Sequence, residues 1–477
     1  MNPSDIPPDA AIHETLGDPR LQTAIYTATQ RLIDHRKKAV AADALPAYQD
    51  LRALAHRIKR HTIEHLDYYL ELVESQVAAR GGKVVFCEDA NEVADFVLNL
   101  AKEKGERLIV KSKSMTTEEV HLNDRLESHQ LEAVETDLGE YLLQLAHQRP
   151  YHIVAPALHM TRYDVADVLT KNLGVEREVE PEKQTKIARA TLREKFLEAG
   201  IGITGANFVV AGSGAVVVVE NEGNARLSSS APRIHIAIAG IEKLIPSAKD
   251  LAVFLKLLGR SATGQPLTVY TSFLSGPRRE NEPDGPKEFY LVLLDGGRTK
   301  LLADPGKRES LFCIRCGACL NHCPVYRKIG GHNYPWVYSG PIGAIITPQF
   351  HGIGKDPWLP FASSLCGACA EVCPVKIDIP KVLLKLRSEV TASGAKGPGE
   401  RNAFRLWAAI MARPKLFSLF GAIAAHFAPR PKNGAWIRKL SWPMNLAPLA
   451  AWLSQRDLPP PAAQSFRSQW KSRKAAR

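Results

Sequence analysis

Residues 313–324 read Cys313-Ile-Arg-Cys316-Gly-Ala-Cys319-Leu-Asn-His-Cys323-Pro324, and residues 366–374 read Cys366-Gly-Ala-Cys369-Ala-Glu-Val-Cys373-Pro374. Seven of the chain's eight cysteines stand in this span. The first run is C-x2-C-x2-C-x3-C-P, the spacing of bacterial iron–sulfur ligation, in which the fourth cysteine serves the other cluster. The reason is geometric. Three thiolates on a tight loop reach three corners of one cubane, and the fourth, carried past the loop and followed by proline, points away. The same crossing rule assigns Cys313, Cys316, Cys319 and the distant Cys373 to one cluster, and Cys323, Cys366 and Cys369 to a second. Ser363 stands where the pattern expects the eighth cysteine. The second cluster is therefore a [4Fe–4S] cluster completed by serine, by water or by a group outside the motif, or else a three-iron [3Fe–4S] form. Paired C-x2-C runs also bind zinc, but two units that share a cysteine and both end in Cys-Pro fit zinc poorly. A disulfide framework fits worse, because seven clustered thiols are an odd number and no secretory signal precedes them.

Outward from this span, the 477 residues leave room for two to four domains. At 45% hydrophobic and 23% charged residues, the chain has the balance of an ordinary globular protein rather than of a disordered or membrane one. The start, Met1-Asn-Pro-Ser-Asp-Ile-Pro-Pro-Asp, is polar and proline-rich, and does not read as a signal peptide. No apolar run reaches the roughly 18–20 residues of a membrane span; the best candidate, 416–428, is broken by Ser418 and His426. The expectation is a cytoplasmic protein without a transmembrane span, with peripheral membrane contact left open. Part of the net charge of +12 gathers at the end, in Arg467, Lys471, Arg473, Lys474 and Arg477. Such a tail meets an acidic partner, an anionic lipid or only solvent. Without a zinc finger, an aromatic RNA-binding signature or a periodic basic helix, nucleic-acid binding is not expected.

In chain order, residues 1 to about 18 read as disordered and 20–80 as helical, with Leu51, Leu54, Ala55 and Ile58 on one face. His61 and His65 share a helix face, a spacing that grips a metal or simply decorates an exposed helix; the second reading is preferred. Gly81-Gly82 closes this part. A strand (83–88), a helix (90–104), a turn at Gly105 and a second strand (107–111) then argue for an α/β domain with parallel strands. Cys87, alone at the end of the first strand, reads as a small core residue. Lys111-Ser-Lys-Ser-Met-Thr-Thr-Glu-Glu follows the second strand; it reads as a loop entering a helix capped by Thr116 or Thr117, or as an anion site at a strand end. Further strands are expected at 151–156, on both sides of Gly212-Ser-Gly, at 234–240, at 267–273 and at 288–295, with helices at 161–169 and 180–199. Glu220, Glu222, Asn224 and Arg226 cluster at a strand end, where burial without partners is costly. They make either a small-molecule pocket or a polar turn with an internal salt bridge. No flavin or NAD fingerprint and no P-loop is present. The 42 residues between Cys323 and Cys366, rich in Gly, Pro and aromatics, are expected to fold around something, and 400–453 to be helical and apolar.

Lys111-Ser-Lys-Ser-Met-Thr-Thr-Glu-Glu, Glu135-Thr-Asp-Leu-Gly-Glu-Tyr, Gly202-Ile-Thr-Gly-Ala-Asn, Glu220-Asn-Glu-Gly-Asn-Ala-Arg and the two cysteine runs together make a specific set. Through them the chain resembles the lactate utilization protein B family over nearly its whole length. The resemblance implies N-terminal helices (1–80, with the disordered start), an α/β LUD domain of sugar-isomerase and CoA-transferase-like fold (81–297), an α-helical two-cluster ferredoxin-type domain (298–390) and a helical C-terminal region with the basic tail (391–477). It implies seven cysteine ligands, matching Cys313, Cys316, Cys319, Cys323, Cys366, Cys369 and Cys373. The activity it implies is part of L-lactate oxidation to pyruvate, in a complex with two sister proteins, a cysteine-rich redox subunit and a second LUD protein, that passes electrons to an acceptor. An iron–sulfur electron-transfer subunit, incomplete as an enzyme alone, is the expectation. Its rivals are a LUD-domain hydrolase or transferase acting through Glu220 or Glu222 with structural clusters, and a redox-sensing binding protein.

Overall fold

The structure is a computed structural model that describes residues 8–394, 398–427, 436–438, 456–460, 462 and 464–475. It divides into two compact units, Met1–Ser393 and Gly394–Arg477.

The first unit opens with four helices: α1 (Pro8–Gly17), α2 (Pro19–Ala39), α3 (Tyr48–Glu64) and α4 (Leu66–Ala78). The disordered start expected to about residue 18 is corrected from Pro8 on by α1, and residues 1–7 lie outside the described residues. Asp18 then caps α2, its carboxylate accepting from Arg20 N and Leu21 N at 2.9 and 3.1 Å, and Asn333 Nδ2 donates to Thr15 Oγ1 of α1 at 2.8 Å. On α3, His61 Nε2 lies 3.0 Å from the Tyr69 hydroxyl and His65 Nδ1 2.9 Å from the His61 carbonyl.

The α/β part then alternates. It contains β1 (Lys83–Cys87), α5 (Ala90–Lys104), β2 (Leu108–Lys111), α6 (Met115–Glu119), α7 (Leu122–Ser128), β3 (Glu132–Glu135), α8 (Leu138–Ala146), α9 (Arg162–Leu173), α10 (Pro181–Glu198) and β4 (Ile201–Thr204). After these come β5 (Phe208–Val210), β6 (Ala215–Glu220), α11 (Asn224–Ser230), β7 (Ile234–Gly240), β8 (Leu244–Ile245), α12 (Ala248–Ala262), β9 (Tyr270–Leu274) and β10 (Glu288–Leu294). Six strands form one sheet in the order β1-β10-β7-β4-β2-β3, every neighbouring pair parallel. Helices cover both faces of such a sheet, so its strands are apolar on both sides; all seven residues of β7 are buried. Ile236 and Ile238 point to α5 and α7, while Ala237 and Ala239 point to α4. A second sheet, β8-β5-β6-β9, carries the hairpin turned at Gly212-Ser-Gly. Helix ends follow their sequence signals. Asp89 caps α5 and left-handed Gly105 ends it, and Thr161 with Asp164 forms a capping box on α9.

Two local expectations are corrected. Residues 151–156 are not a strand. Val154 N and Ala155 N donate to His152 Nδ1 at 3.1 and 3.2 Å, and Tyr151 N donates to the Pro156 carbonyl at 2.9 Å. These bonds bend the segment and consume the groups a ladder would need. The cap of α6 is Ser114, whose Oγ accepts from Thr117 N at 3.3 Å, not Thr116 or Thr117.

From β10 the chain enters α13 (Arg298–Leu302), then the helices of the cysteine region: α14 (Ala318–Asn321), α15 (Tyr326–Ile329), α16 (Gly340–His351), α17 (Ala368–Val372) and α18 (Ile379–Ser393). The stretch between the cysteine runs is well packed; Tyr326, Tyr334 and Tyr338 are nearly inaccessible. One apolar core runs from α3 through Phe208 and Phe254 to Phe312, Ile345 and Leu383, so the cysteine region shares its interior with the α/β part and the N-terminal helices.

The second unit holds α19 (Pro398–Met411), α20 (Pro414–Phe427) and α21 (Phe466–Ala475), with an antiparallel bridge between Ile437 and Leu458. Trp407, Phe417, Phe420 and Trp436 are exposed; Trp442, Trp452 and Arg477 lie outside the described residues. Among the described residues, no single helix is long and apolar enough to cross a membrane. A pair, Arg401–Met411 with Pro414–Phe427, passes together but bends by 106° at its break.

Candidate functional site

The two cysteine runs fold as two copies of one turn. Arg315 and Leu365 take left-handed backbone at φ 58° and 55°, and Gly317 and Gly367 do so at 72° and 84°. Each glycine begins a short helix, α14 or α17, that presents the next cysteine. A left-handed turn followed by helix aims consecutive side chains inward, as a cubane requires, and at Gly317 any side chain would press on the His152 ring. Backbone N–H groups point at the sulfurs. Arg315 N donates to Cys313 Sγ, Tyr326 N to Cys323 Sγ and Ile377 N to Cys373 Sγ, each at 3.4 Å. Such bonds tune a thiolate-ligated cluster.

Cys313, Cys316, Cys319 and Cys373 line one small, almost wholly apolar cavity, together with Ile314, Ile342 and Val375. Cys316 and Cys373 are buried and Cys313 and Cys319 half-buried. Desolvation pushes the Cys316 thiol up to about 12 and the Cys373 thiol up to about 11, and neighbouring thiolates add to the effect. Four mutually repelling soft donors round a dry cavity suit a polynuclear cation that holds them deprotonated, which is the fit an iron–sulfur cluster asks of its site. Buried cations surround this cavity. Arg52 of α3 donates to the carbonyls of Cys373 and Glu371 at 2.9 and 2.7 Å. Arg36 of α2 donates to the Val372 carbonyl at 3.0 Å.

Cys323, Cys366 and Cys369 form the other group. Cys366 is exposed while Cys323 and Cys369 are buried. Desolvation raises Cys369 to about 12, with Cys323 and then Cys366 contributing through their charge. Ser363 sits in this turn as Cys313 sits in the first: Leu365 N donates to Ser363 Oγ at 3.2 Å, the counterpart of the Arg315–Cys313 bond.

A cleft of about 290 Å³ opens at the carboxyl ends of the strands, lined by Lys113, Asp137, Glu220, Glu222, Asn224 and Lys243 among others. Three further residues of its wall, Ile153, Arg315 and Cys316, also wall the four-cysteine cavity. Glu220 is held by Ala225 N and Arg226 N at 2.7 and 2.9 Å, and desolvation still raises its carboxyl. Glu222 stands at the rim; desolvation there and the Asp137 carboxylate beside it push it up to about 7. Asn224, with its amide turned to satisfy both ends, donates to Glu220 at 3.0 Å and accepts from Asp137 N at 3.2 Å. Arg226 does not join them. It is exposed, with its guanidinium 4.9 Å from the Tyr270 ring centre.

Three family descriptions match the chain: LUD domain over residues 70–294, 4Fe-4S dicluster domain over 309–377, and Lactate utilisation protein B, C-terminal, over 386–475. Curated proteins named Lactate utilization protein B from Bacillus thuringiensis (strain Al Hakam) and Bacillus cereus (strain AH187) are each 42% identical over 97% of this chain and 96% of theirs. The chain belongs to the lactate utilization protein B family. A solved structure, a DUF162 family protein from Deinococcus radiodurans, matches 48% of this chain and 98% of its own at 9% identity and a TM-score of 0.28, a likeness too slight to bear on the fold.

With the LUD domain and the dicluster domain established, the family's quoted motifs acquire physical roles. Lys111, fully buried, is held by Glu135 at 2.5 Å and Glu118 at 3.0 Å, so it anchors two strand ends and is not free for an anion. A side chain at Gly205 would run into Ser114, which brings Gly202-Ile-Thr-Gly-Ala-Asn against the Lys111 motif. Sequence reasoning missed the residues that join the two domains. Arg298 is inaccessible to solvent and grips Glu119 with two bonds of 2.8 Å while also bonding Glu242. Tyr338 donates to Glu119 at 2.7 Å, Arg315 lies 3.5 Å from Glu242, and the Arg315 guanidinium rests 4.4 Å from the Tyr338 ring centre. Arg298 looked like linker, and nothing local in Gly-Gly-Arg-Thr announces a buried cation. Lys243 was missed as well. It closes the turn Ile241–Lys243 between two apolar strands, where a lone lysine reads as a turn residue.

Proposed function

We propose that this chain is the iron–sulfur electron-transfer subunit of an assembly that oxidises L-lactate to pyruvate. One observation supports this above the rest: two cysteine groups share a single compact unit, one buried against the LUD cleft and the other reaching solvent at Cys366. Cys313, Cys316, Cys319 and Cys373 would hold one [4Fe–4S] cluster, and Cys323, Cys366 and Cys369 with the Ser363 oxygen a second. Bound clusters of this kind accept and release electrons singly. The chain's own part is to fix the two sites in one rigid core, to keep water from the first through Ile314, Ile342 and Val375, and to place cations beside it. Membership of the family supports lactate as the fuel, and the lack of a flavin or NAD motif supports partners that do the two-electron step. These are a cysteine-rich redox subunit and a second LUD protein, with an acceptor taking electrons near Cys366.

The test is optical. Anaerobically prepared protein should absorb broadly at roughly 400 nm through thiolate–iron charge transfer and bleach with dithionite. L-lactate alone should leave the spectrum unchanged, and L-lactate with both sister proteins should bleach it. Bleaching by lactate without partners would overturn the carrier role, and bleaching by none of these additions would overturn the assembly.

A further inference from the structure

The charge of this chain is concentrated in one segment. Residues 394–477 hold fifteen lysines and arginines against two side-chain carboxylates, Glu400 and Asp457. The whole net charge of +12 therefore lies there, and residues 1–393 are nearly balanced. Asp457 is itself paired with Arg438 at 3.4 Å. The same segment holds five of the chain's seven tryptophans.

The second unit gives these residues a surface. Phe404, Leu406 and Trp407 of α19 and Leu419, Phe420 and Ile423 of α20 are all exposed. Single exposed apolar side chains are ordinary, but a set of them on two helices that pack together marks a contact surface. No carboxylate occurs from Arg401 to Phe427, whereas Arg401, Arg405, Arg413 and Lys415 do. By length and composition the two helices together pass as a membrane span, but they bend by 106° at their break. Each has 14 residues, which is about 21 Å of helix and short of the roughly 30 Å of a bilayer's hydrocarbon core. A bent pair of this kind lies along a membrane surface and does not cross it. The basic helix α21 begins beside it. Arg467 donates to the Pro414 carbonyl at 3.4 Å, and its guanidinium lies 5.0 Å from the Phe417 ring centre. Along α21, Arg467, Lys471 and Lys474 form one stripe, and exposed Phe466 and Trp470 form the next.

Aromatic and aliphatic side chains interleaved with cations and free of acids suit the headgroup layer of an anionic bilayer. Rings and aliphatic groups enter the acyl boundary while ammonium and guanidinium groups stay at the phosphates. Nucleic acid would answer the charge and leave Leu406, Leu419 and Ile423 in water.

We propose that the second unit docks this chain on the surface of an anionic phospholipid bilayer, with apolar side chains of α19 and α20 in the acyl boundary and basic side chains of α21 on the headgroup phosphates. Docking needs no electron transfer, so this inference and the carrier role stand or fall separately.

Flotation of the anaerobic, iron-loaded full chain with phospholipid vesicles tests it. Vesicles of phosphatidylglycerol mixed with phosphatidylcholine should bind the protein at least tenfold more tightly than phosphatidylcholine alone, and brominated acyl chains should quench its tryptophan emission. Trp407→Ser with Phe420→Ser should weaken binding to the mixed vesicles at least tenfold. So should Lys471→Glu with Lys474→Glu, which reverses two charges at the phosphates. All four side chains are exposed, so iron content and unfolding midpoint should not change; if one double variant loses iron, the other decides. No flotation, equal affinity for the two kinds of vesicle, or undiminished binding in a double variant with full iron would overturn the proposal. Flotation that added salt abolishes, without quenching by brominated lipid, would show adsorption by charge alone and overturn the insertion of α19 and α20. Release from the vesicles by duplex DNA or by the sister proteins would overturn the lipid as occupant and give the surface to that competitor.

Discussion

The two cysteine groups are built on the same turn and live in different surroundings. The first has four thiols, an apolar lining and buried cations from α2 and α3. The second has three thiols and a hydroxyl, and one of the thiols, Cys366, is exposed. Cluster potentials respond to net charge, hydrogen bonds to sulfur and exposure, so clusters held by these near-identical turns would differ in potential. The difference lies in what packs around each turn. Arg52 reaches the carbonyl of Cys373 and Arg36 that of Val372. Their chain positions, more than three hundred residues earlier, mean that the first site exists only when the whole unit is folded.

That dependence predicts the largest effect. Cys373→Ala should remove the first cluster, about half of the protein's iron, and loosen α2 and α3 with it, because metal binding and folding are coupled where the ligands come from distant segments. Cys366→Ala should lose only the second cluster and leave the unfolding midpoint nearly unchanged. Iron analysis and urea unfolding on the two variants check the contrast; equal losses of stability would erase the distinction between a built-in site and a surface one.

The next effect sharpens the same contrast from the LUD side. Arg298 pairs Glu119 and Glu242 behind the first site. Arg298→Met strands two buried carboxylates and should cost about 3–5 kcal/mol, the usual penalty for removing one partner of a buried ion pair. Glu119→Gln with Arg298→Met should recover part of the loss, since one stranded charge is gone. Denaturant unfolding of the single and double variants reads both.

How much of this could be seen in the sequence follows from the range of the interactions. The cysteine spacing is local, so Cys313 to Cys373 could be grouped without any fold. The strand at 234–240 was equally plain, because a parallel central strand is apolar on both faces. Tyr151-His-Ile-Val-Ala-Pro misled because its residues favour strand, while His152 Nδ1 captures two backbone N–H groups that only the three-dimensional bend brings together. Glu220, Glu222 and Asn224 were chosen for the cost of burying them and do line the cleft. Arg226 was chosen with them and faces outward, since the turn into α11 rotates successive residues by about 100°. Lys243 and Arg298 escaped notice because a single cation carries no pattern, and the burial of Arg298 is decided by partners 56 and 179 residues away.

The smallest predicted effect tests the symmetry itself. Leu365 N donates to Ser363 Oγ as Arg315 N donates to Cys313 Sγ, so the turn is already shaped for a ligand at position 363. Ser363→Cys therefore needs no backbone change. It should give a second site with four thiolates, with unchanged stability and with a resonance signal and potential closer to those of the first site. Ser363→Ala removes the oxygen and leaves three thiols. If the serine oxygen holds the fourth iron, oxidised Ser363→Ala should show a three-iron resonance signal that the wild-type protein lacks, and iron content should fall by about one atom per chain. If the wild-type protein already carries the three-iron signal, the serine is only a turn residue. The repeat would then be complete in its backbone and incomplete in its chemistry, which would leave Cys366 as an exposed corner of a cluster that readily exchanges its missing iron.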